Sequence, residues 1–277
     1  MNMNTNSNTY TIIYTTIIVM LVAALLAFVS QSLKSKQEAN EKADTISQML
    51  TAAQFATKAD LQKIGNTAVL AKYAEEIDRA FTVGLDGKKI NDLEDDQVFS
   101  PKDLKKQNYN IKGDGEAEIP VFVFKNGVTV VPVYGAGLWG PVWGYIAFEP
   151  ASNIIKGAYF DHESETAGLG AKIKDDPGFQ AEFVGEKADF INANVFDIVK
   201  GGAPKNSDGS SVIDNKIDAI TGATMTSNGL DAAIDTWLGA YAAYFKVAAP
   251  QGDDCCCEGD SCEEDMSCCD DKKTEEE

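Results

Sequence analysis

From Tyr10 to Val29 the chain runs without one charged side chain, through Tyr-Thr-Ile-Ile-Tyr-Thr-Thr-Ile-Ile-Val-Met-Leu-Val-Ala-Ala-Leu-Leu-Ala-Phe-Val. About 20 apolar residues suffice to cross the hydrocarbon core of a bilayer as a helix. A cleaved leader is the alternative. Against it, the apolar run exceeds a usual signal core and no Lys or Arg precedes it. Ala23-Ala24-Leu25 and Ala27-Phe28-Val29-Ser30 are poor cleavage sites. The expectation is a short N-terminal segment (1–9) and a retained transmembrane helix (10–30). Lys34 and Lys36 follow the run. The positive-inside rule would put the remainder in the cytoplasm, although long domains translocate largely regardless of charge.

Beyond the apolar run the pattern changes. Residues 31–90 read as a stalk and helical region. Ala43, Ile46, Met49, Leu50 and Ala53 recur at helical spacing. Thr57-Lys58-Ala59-Asp60-Leu61 reads as a cap and a new start. Leu61, Ile64, Val69, Leu70 and Tyr73 continue in helical register into Ile77 and Phe81. Strands follow from Pro120: Pro120–Phe124 and Val128–Val133 flank Lys125-Asn126-Gly127, a hairpin signal. Helices, then strands, then a final helix predict an α+β fold. In that fold a single transmembrane helix precedes a domain of antiparallel strands with flanking helices, over residues 91–248.

The final helix is announced by Leu230, Ala233, Ile234, Trp237, Leu238, Tyr241 and Phe245, which line one helical face. Just before it stands Asp218-Ala219-Ile220-Thr221-Gly222-Ala223-Thr224-Met225-Thr226-Ser227. Four hydroxyls fall within seven residues, and Gly222 and Ala223 leave room for another enzyme to approach. Thr226 or Ser227 is the expected N-cap. Thr224 would then precede a helix N-terminus, where free N–H groups and the macrodipole favour a phosphate. An ordinary capped helix after a Gly turn accounts for the same residues.

Asp218-x-x-Thr221-Gly222-Ala223-Thr224 resembles the flavinylation motif of the FMN-binding subunits of sodium-pumping NADH:quinone oxidoreductase and of the related ferredoxin:NAD oxidoreductase complex. Three further stretches are similar. Gly137-Leu138-Trp139-Gly140-Pro141-Val142-Trp143-Gly144 looks like a family loop, read here as a packed Gly-rich corner that also walls the flavin pocket. His162-Glu163-Ser164-Glu165-Thr166-Ala167-Gly168-Leu169-Gly170 resembles the ring-lining signature His-x-Glu-Thr-Pro-Gly-Leu-Gly, with one extra residue and Ala167 in place of Pro. Losing that Pro frees φ and adds a donor. Lys200-Gly201-Gly202-Ala203-Pro204 is similar to a family Gly-Gly-Ala stretch.

The resemblance implies covalent FMN on Thr224, with Asp218, Thr221, Gly222, Ala223, Leu138, Trp139, Glu165, Thr166, Gly168 and Leu169 around it. It implies an electron-transfer subunit of a membrane NADH:quinone oxidoreductase coupled to Na+ translocation. The implied partners are the other subunits of that complex and a flavin transferase for maturation. It further implies anchoring in the inner (cytoplasmic) membrane with the flavin domain on the outer face, against the positive-inside reading. The N-terminal layout and the Trp-containing loop favour the sodium pump over the ferredoxin:NAD complex.

The formal net charge of −19 argues against a nucleic-acid partner. No dinucleotide glycine motif follows a strand and no P-loop occurs, so NADH itself is not an expected ligand. His162 is the single histidine, and no Gly-x-Ser-x-Gly elbow accompanies it, which disfavours hydrolysis. All 6 cysteines, Cys255, Cys256, Cys257, Cys262, Cys268 and Cys269, lie in an acidic tail over residues 249–277. Low apolar content and charge mark that tail as disordered. Its spacing matches neither a zinc ribbon nor a ferredoxin cluster, so no metal site is assigned. A membrane-tethered module whose tail captures soft metal is the more distant functional alternative.

Overall fold

A computed structural model describes residues 8–94, 97–113, 115–191, 194–202 and 215–248. The Cys-rich tail lies outside the described residues, as do Ala203, Pro204 and the stretch to Asp214. The chain begins with α1 (Asn8–Ala52), α2 (Lys58–Ile64) and α3 (Asn66–Glu76). It continues through β1 (Ile77–Val83), β2 (Lys89–Asp92), α4 (Pro101–Lys112), β3 (Ile119–Phe124), β4 (Thr129–Ala136), β5 (Pro141–Glu149) and β6 (Ile154–His162). It closes with α5 (Lys172–Asp175), α6 (Pro177–Ala181), β7 (Asp197–Val199), β8 (Lys216–Asp218) and α7 (Thr224–Ala248).

The expected span and stalk form one unbroken helix. Residues 11–40 of α1 are exposed throughout, whereas Ala43, Ile46, Met49 and Leu50 are buried. The exposed half contains the one helix stretch, among the described residues, that is long and apolar enough to cross a membrane. The Thr57 hydroxyl accepts from Asp60 N and caps α2, as its position suggested.

Six strands make one antiparallel sheet in the order β2-β1-β3-β4-β5-β6. Side chains alternate between its faces. On β3, Val121 and Val123 face one core with Val131, Ile146, Phe160, Leu104 of α4 and the α7 stripe. Phe122 and Phe124 face a second core with Met49, Leu50, Leu61, Val69 and Tyr73. Both faces are covered, so β3 is buried along its whole length. The predicted hairpin is present: Gly127 N donates to Phe124 O at 2.9 Å between β3 and β4. A two-stranded parallel sheet, β7–β8, is an addition to the antiparallel expectation.

One helical expectation fails. Ile77 and Phe81 are not helical; they lie on β1, where Phe81 pairs with Val121 of β3. The sheet therefore begins within the 31–90 stretch read as stalk and helices. Their spacing of four fits a helix face locally, but the open edge of β3 captures the segment as a strand. The backbone hydrogen bonds of that pairing outweigh a weak local preference.

Candidate functional site

The α7 stripe closes the sheet and carries the hydroxyl-rich motif to one end of it. Leu230, Ile234, Trp237, Leu238, Tyr241 and Phe245 are all fully buried. Tyr241 OH donates to Pro120 O at 2.7 Å and Trp237 Nε1 donates to Asn108 Oδ1 of α4 at 3.1 Å, so the helix is fixed on both sides. Its first residue is Thr224. The turn before it passes through Gly222 at φ 84°, a conformation that side-chain-bearing residues rarely adopt.

The four hydroxyls have separate fates. Thr226, 1% exposed, donates from Oγ1 to Glu165 Oε2 at 2.6 Å. Ser227 is fully buried and its Oγ accepts from Ile220 N at 3.1 Å. Neither caps the helix, which starts earlier than their expected N-cap role requires; both sit inside the first turn. Thr221 and Thr224 remain, exposed and half-buried respectively. Among the described residues neither hydroxyl is engaged in a hydrogen bond. Of these two, only Thr224 belongs to the helix. It stands beside the first N–H groups of a 25-residue helix, the end that attracts anions.

Two loops meet this turn. Leu138 and Trp139 lie in the β4–β5 turn, closed by Gly137 N donating to Gly140 O at 2.8 Å. The packed corner expected there is not formed at its tip: Trp139 is 67% exposed and Leu138 51%. A four-residue turn between two long strands projects its side chains past the sheet end. The second tryptophan is the packed one, with Trp143 Nε1 donating to Gln48 Oε1 of α1 at 3.1 Å. The loop after β6 holds Thr166, Gly168 and Leu169, all exposed, and Glu165, 7% exposed. Leu169 reaches the Gly222 turn: a side chain built on Gly222 would meet Leu169 Cδ2 at 3.4 Å.

The structure thus gathers Leu138, Trp139, Glu165, Leu169, Gly222 and Thr224 at one end of the sheet. Exposed apolar surface comes from Leu138, Trp139, Leu169 and Met225. Met225 escaped sequence reasoning, although its place between two motif threonines was a usable signal. Ala223 is buried, donating from N to Ile220 O at 3.0 Å. Asp218 stands further off at the end of β8, where its N–H donates to Glu182 Oε2 at 3.0 Å and Gly202 lies close by. The residues present suit a phosphorylated planar cofactor: a free hydroxyl at a helix N-terminus for the phosphate, and apolar and aromatic side chains for a ring. A separate cavity of about 720 Å³ under α1 and α2, lined by Lys58, Tyr159 and Gln180 among others, contains none of these residues.

The family model of the FMN-binding domain matches residues 137–239, from the Trp139 turn into α7. The C subunit of the Na(+)-translocating NADH-quinone reductase of Vibrio campbellii is 36% identical over 124 residues, 43% of this chain and 45% of that protein. The Haemophilus ducreyi protein of the same name is 37% identical over 128 residues. The chain thus spans just under half the length of the curated relatives it matches. The crystal structure of the Parabacteroides distasonis homologue of the same name superposes with a TM-score of 0.60 at 31% identity, covering 77% of this chain and 96% of the other. This chain belongs to the NqrC family, the C subunits of Na(+)-translocating NADH-quinone reductases. NqrC from Shewanella oneidensis gives a TM-score of 0.59 at 27% identity. The α+β architecture read from the sequence is that of these structures.

Proposed function

We propose that Thr224 carries FMN through a phosphoester, and that the chain is an electron-transfer subunit of a Na+-translocating NADH:quinone oxidoreductase. One observation carries the reading. Inside the matched FMN-binding domain, the half-buried Thr224 hydroxyl is unengaged at the first turn of α7, while Thr226 and Ser227 are buried and occupied. The helix end receives the phosphate, and Gly222 keeps the approach open for a flavin transferase. Leu138, Trp139, Leu169 and Met225 offer apolar surface to a ring. Bound FMN supplies the electron chemistry. The chain supplies its position, a covalent tether and partial shielding from water.

With neither a dinucleotide glycine motif nor a P-loop motif in its sequence, the chain receives electrons from another subunit and passes them toward quinone. Ion translocation belongs to the assembled complex. The exposed half of α1 anchors the chain in the cytoplasmic membrane, with the flavin domain on the outer face where the transferase acts. Co-expression with a flavin transferase, followed by a denaturing gel under ultraviolet light, tests the assignment. The wild-type band is expected to fluoresce and Thr224→Ala to be dark, with Thr221→Ala retaining the signal. Fluorescence in Thr224→Ala would refute the reading.

A further inference from the structure

Glu165 is a buried carboxylate on an exposed loop. Both of its oxygens are used, and both by neutral donors: Oε1 accepts from Trp139 N at 2.9 Å and Oε2 from Thr226 Oγ1 at 2.6 Å. Burying a carboxylate is costly unless donors satisfy it, and donors that do are held strongly. The three segments joined here are the β4–β5 turn, the loop after β6 and the first turn of α7. Among the described residues they share no strand pairing at this point. Gly137 and Gly170 both abut the carboxylate so closely that a Cβ on either would collide with it. Ser164 Oγ donates to Trp139 O at 2.9 Å and reinforces the contact between the first two segments.

The hub continues backward to the membrane helix. Glu165 N donates to His162 Nδ1 at 3.1 Å, and His162 N donates to Asp161 Oδ1 at 2.7 Å. Asp161 is buried, paired with Lys174 at 2.8 Å, and accepts from Gln48 Nε2 of α1 at 3.1 Å. An unbroken series of hydrogen bonds therefore runs from α1 through the chain's single histidine to Thr226, two residues past Thr224.

We infer that Glu165 is a positioning residue for the cofactor on Thr224, acting through Thr226 and the Trp139 backbone rather than by touching the ring. It holds the attachment turn and the two apolar loops in one arrangement, and Gln48, Asp161 and His162 tie that arrangement to α1. A carboxylate that merely fills space would leave the three segments in place when its hydrogen bonds are removed. The inference rests on Thr224 being the attachment site, and the test separates the two.

Thr226→Val removes one hydroxyl at constant shape, Glu165→Ala removes the hub, and Glu165→Gln keeps an acceptor for Trp139 N and can donate to the Thr226 hydroxyl. Covalent flavin after co-expression with the transferase is expected to fall about tenfold in Thr226→Val and Glu165→Ala, a loss suited to a hydrogen bond to a charged group, and to be restored in Glu165→Gln. In the unmodified protein, amide exchange in residues 137–140 and 166–171 is expected to quicken by a similar factor in Thr226→Val, with residues 142–148 unchanged. Wild-type flavin yield and wild-type exchange in Thr226→Val would overturn the inference. So would a loss of protection throughout the sheet in Thr226→Val, since the group would then hold the fold rather than the site. A wild type as dark as Thr224→Ala sinks the attachment reading alone, because the exchange measurement still reports on the hub.

Discussion

The two faces of the sheet are equally well buried but held in different ways. The α7 face is apolar and aromatic: Trp237, Tyr241 and Phe245 pack with Phe148 and Phe190, the rings of Phe190 and Phe245 stacked at 4.4 Å. The α1 face mixes Met49, Leu50 and Ile46 with buried Thr45, Ser47 and Gln48. Gln48 alone bonds Asp44, Asp161 and Trp143. An apolar face supplies stabilisation without strong directional preference. A polar clamp on the other face fixes which way the helix is turned and how far it slides. The helix that carries the proposed attachment threonine is held mainly by packing, with single hydrogen bonds from Trp237 and Tyr241 at its flanks, whereas the helix with the long apolar run is clamped by Gln48, which alone joins three partners.

That contrast can be broken experimentally. Trp237→Ala on the α7 face should cost the most, about 3–5 kcal/mol of unfolding free energy in denaturant titration, for a buried aromatic replaced by a void. Gln48→Ala on the α1 face should cost less, about 1–3 kcal/mol, because it strands Trp143 Nε1 and part of Asp161 without a partner. Gln48→Ala as damaging as Trp237→Ala would erase the distinction. The smallest effect is electrostatic. Burial raises the Asp231 and Asp235 carboxyls of α7 above their ordinary value, opposed by hydrogen bonds from Ile198 N and Phe196 N. A raised folded-state value means the folded protein holds the proton more tightly than the unfolded chain. The stability from this source is present below the ordinary aspartate range and is lost as pH rises through the raised value. Asp231→Asn keeps an acceptor for Ile198 N, so its melting temperature relative to wild type should climb as pH rises through the carboxylate range. A flat difference across that range would mean the site is better solvated than its burial implies.

Helical stripes were the most legible part of the chain. Leu230 to Phe245 and Ala43 to Ala53 are buried as their periodicity predicts, because one face of each helix meets one face of the sheet. The hairpin at Lys125–Gly127 was legible because turn chemistry is local. Strand β1 was not: its identity is decided by pairing with β3, far along the chain, and nothing within Ile77–Val83 announces that partner. The site divides the same way. The motif around Thr224 is contiguous and could be read. The burial of Thr226 could not, since a threonine serves surface or core equally and its partner Glu165 lies 61 residues earlier. Trp139 misled for a related reason, because tryptophan predicts a packed interior and here the turn carries it into solvent.

No loop interrupts α1 between the apolar run and the buried stripe. Each residue of an α-helix adds about 1.5 Å and 100° of rotation, so with the apolar run seated in a bilayer, the dozen or so exposed residues up to Glu41 act as a mast of roughly 20 Å. The head cannot lean or swivel freely on such a mast. Adding one residue would lift the Thr224 end slightly but swing it by more than a quarter of a circle, away from whatever faces it, whereas adding seven would return it to almost the same bearing one storey higher.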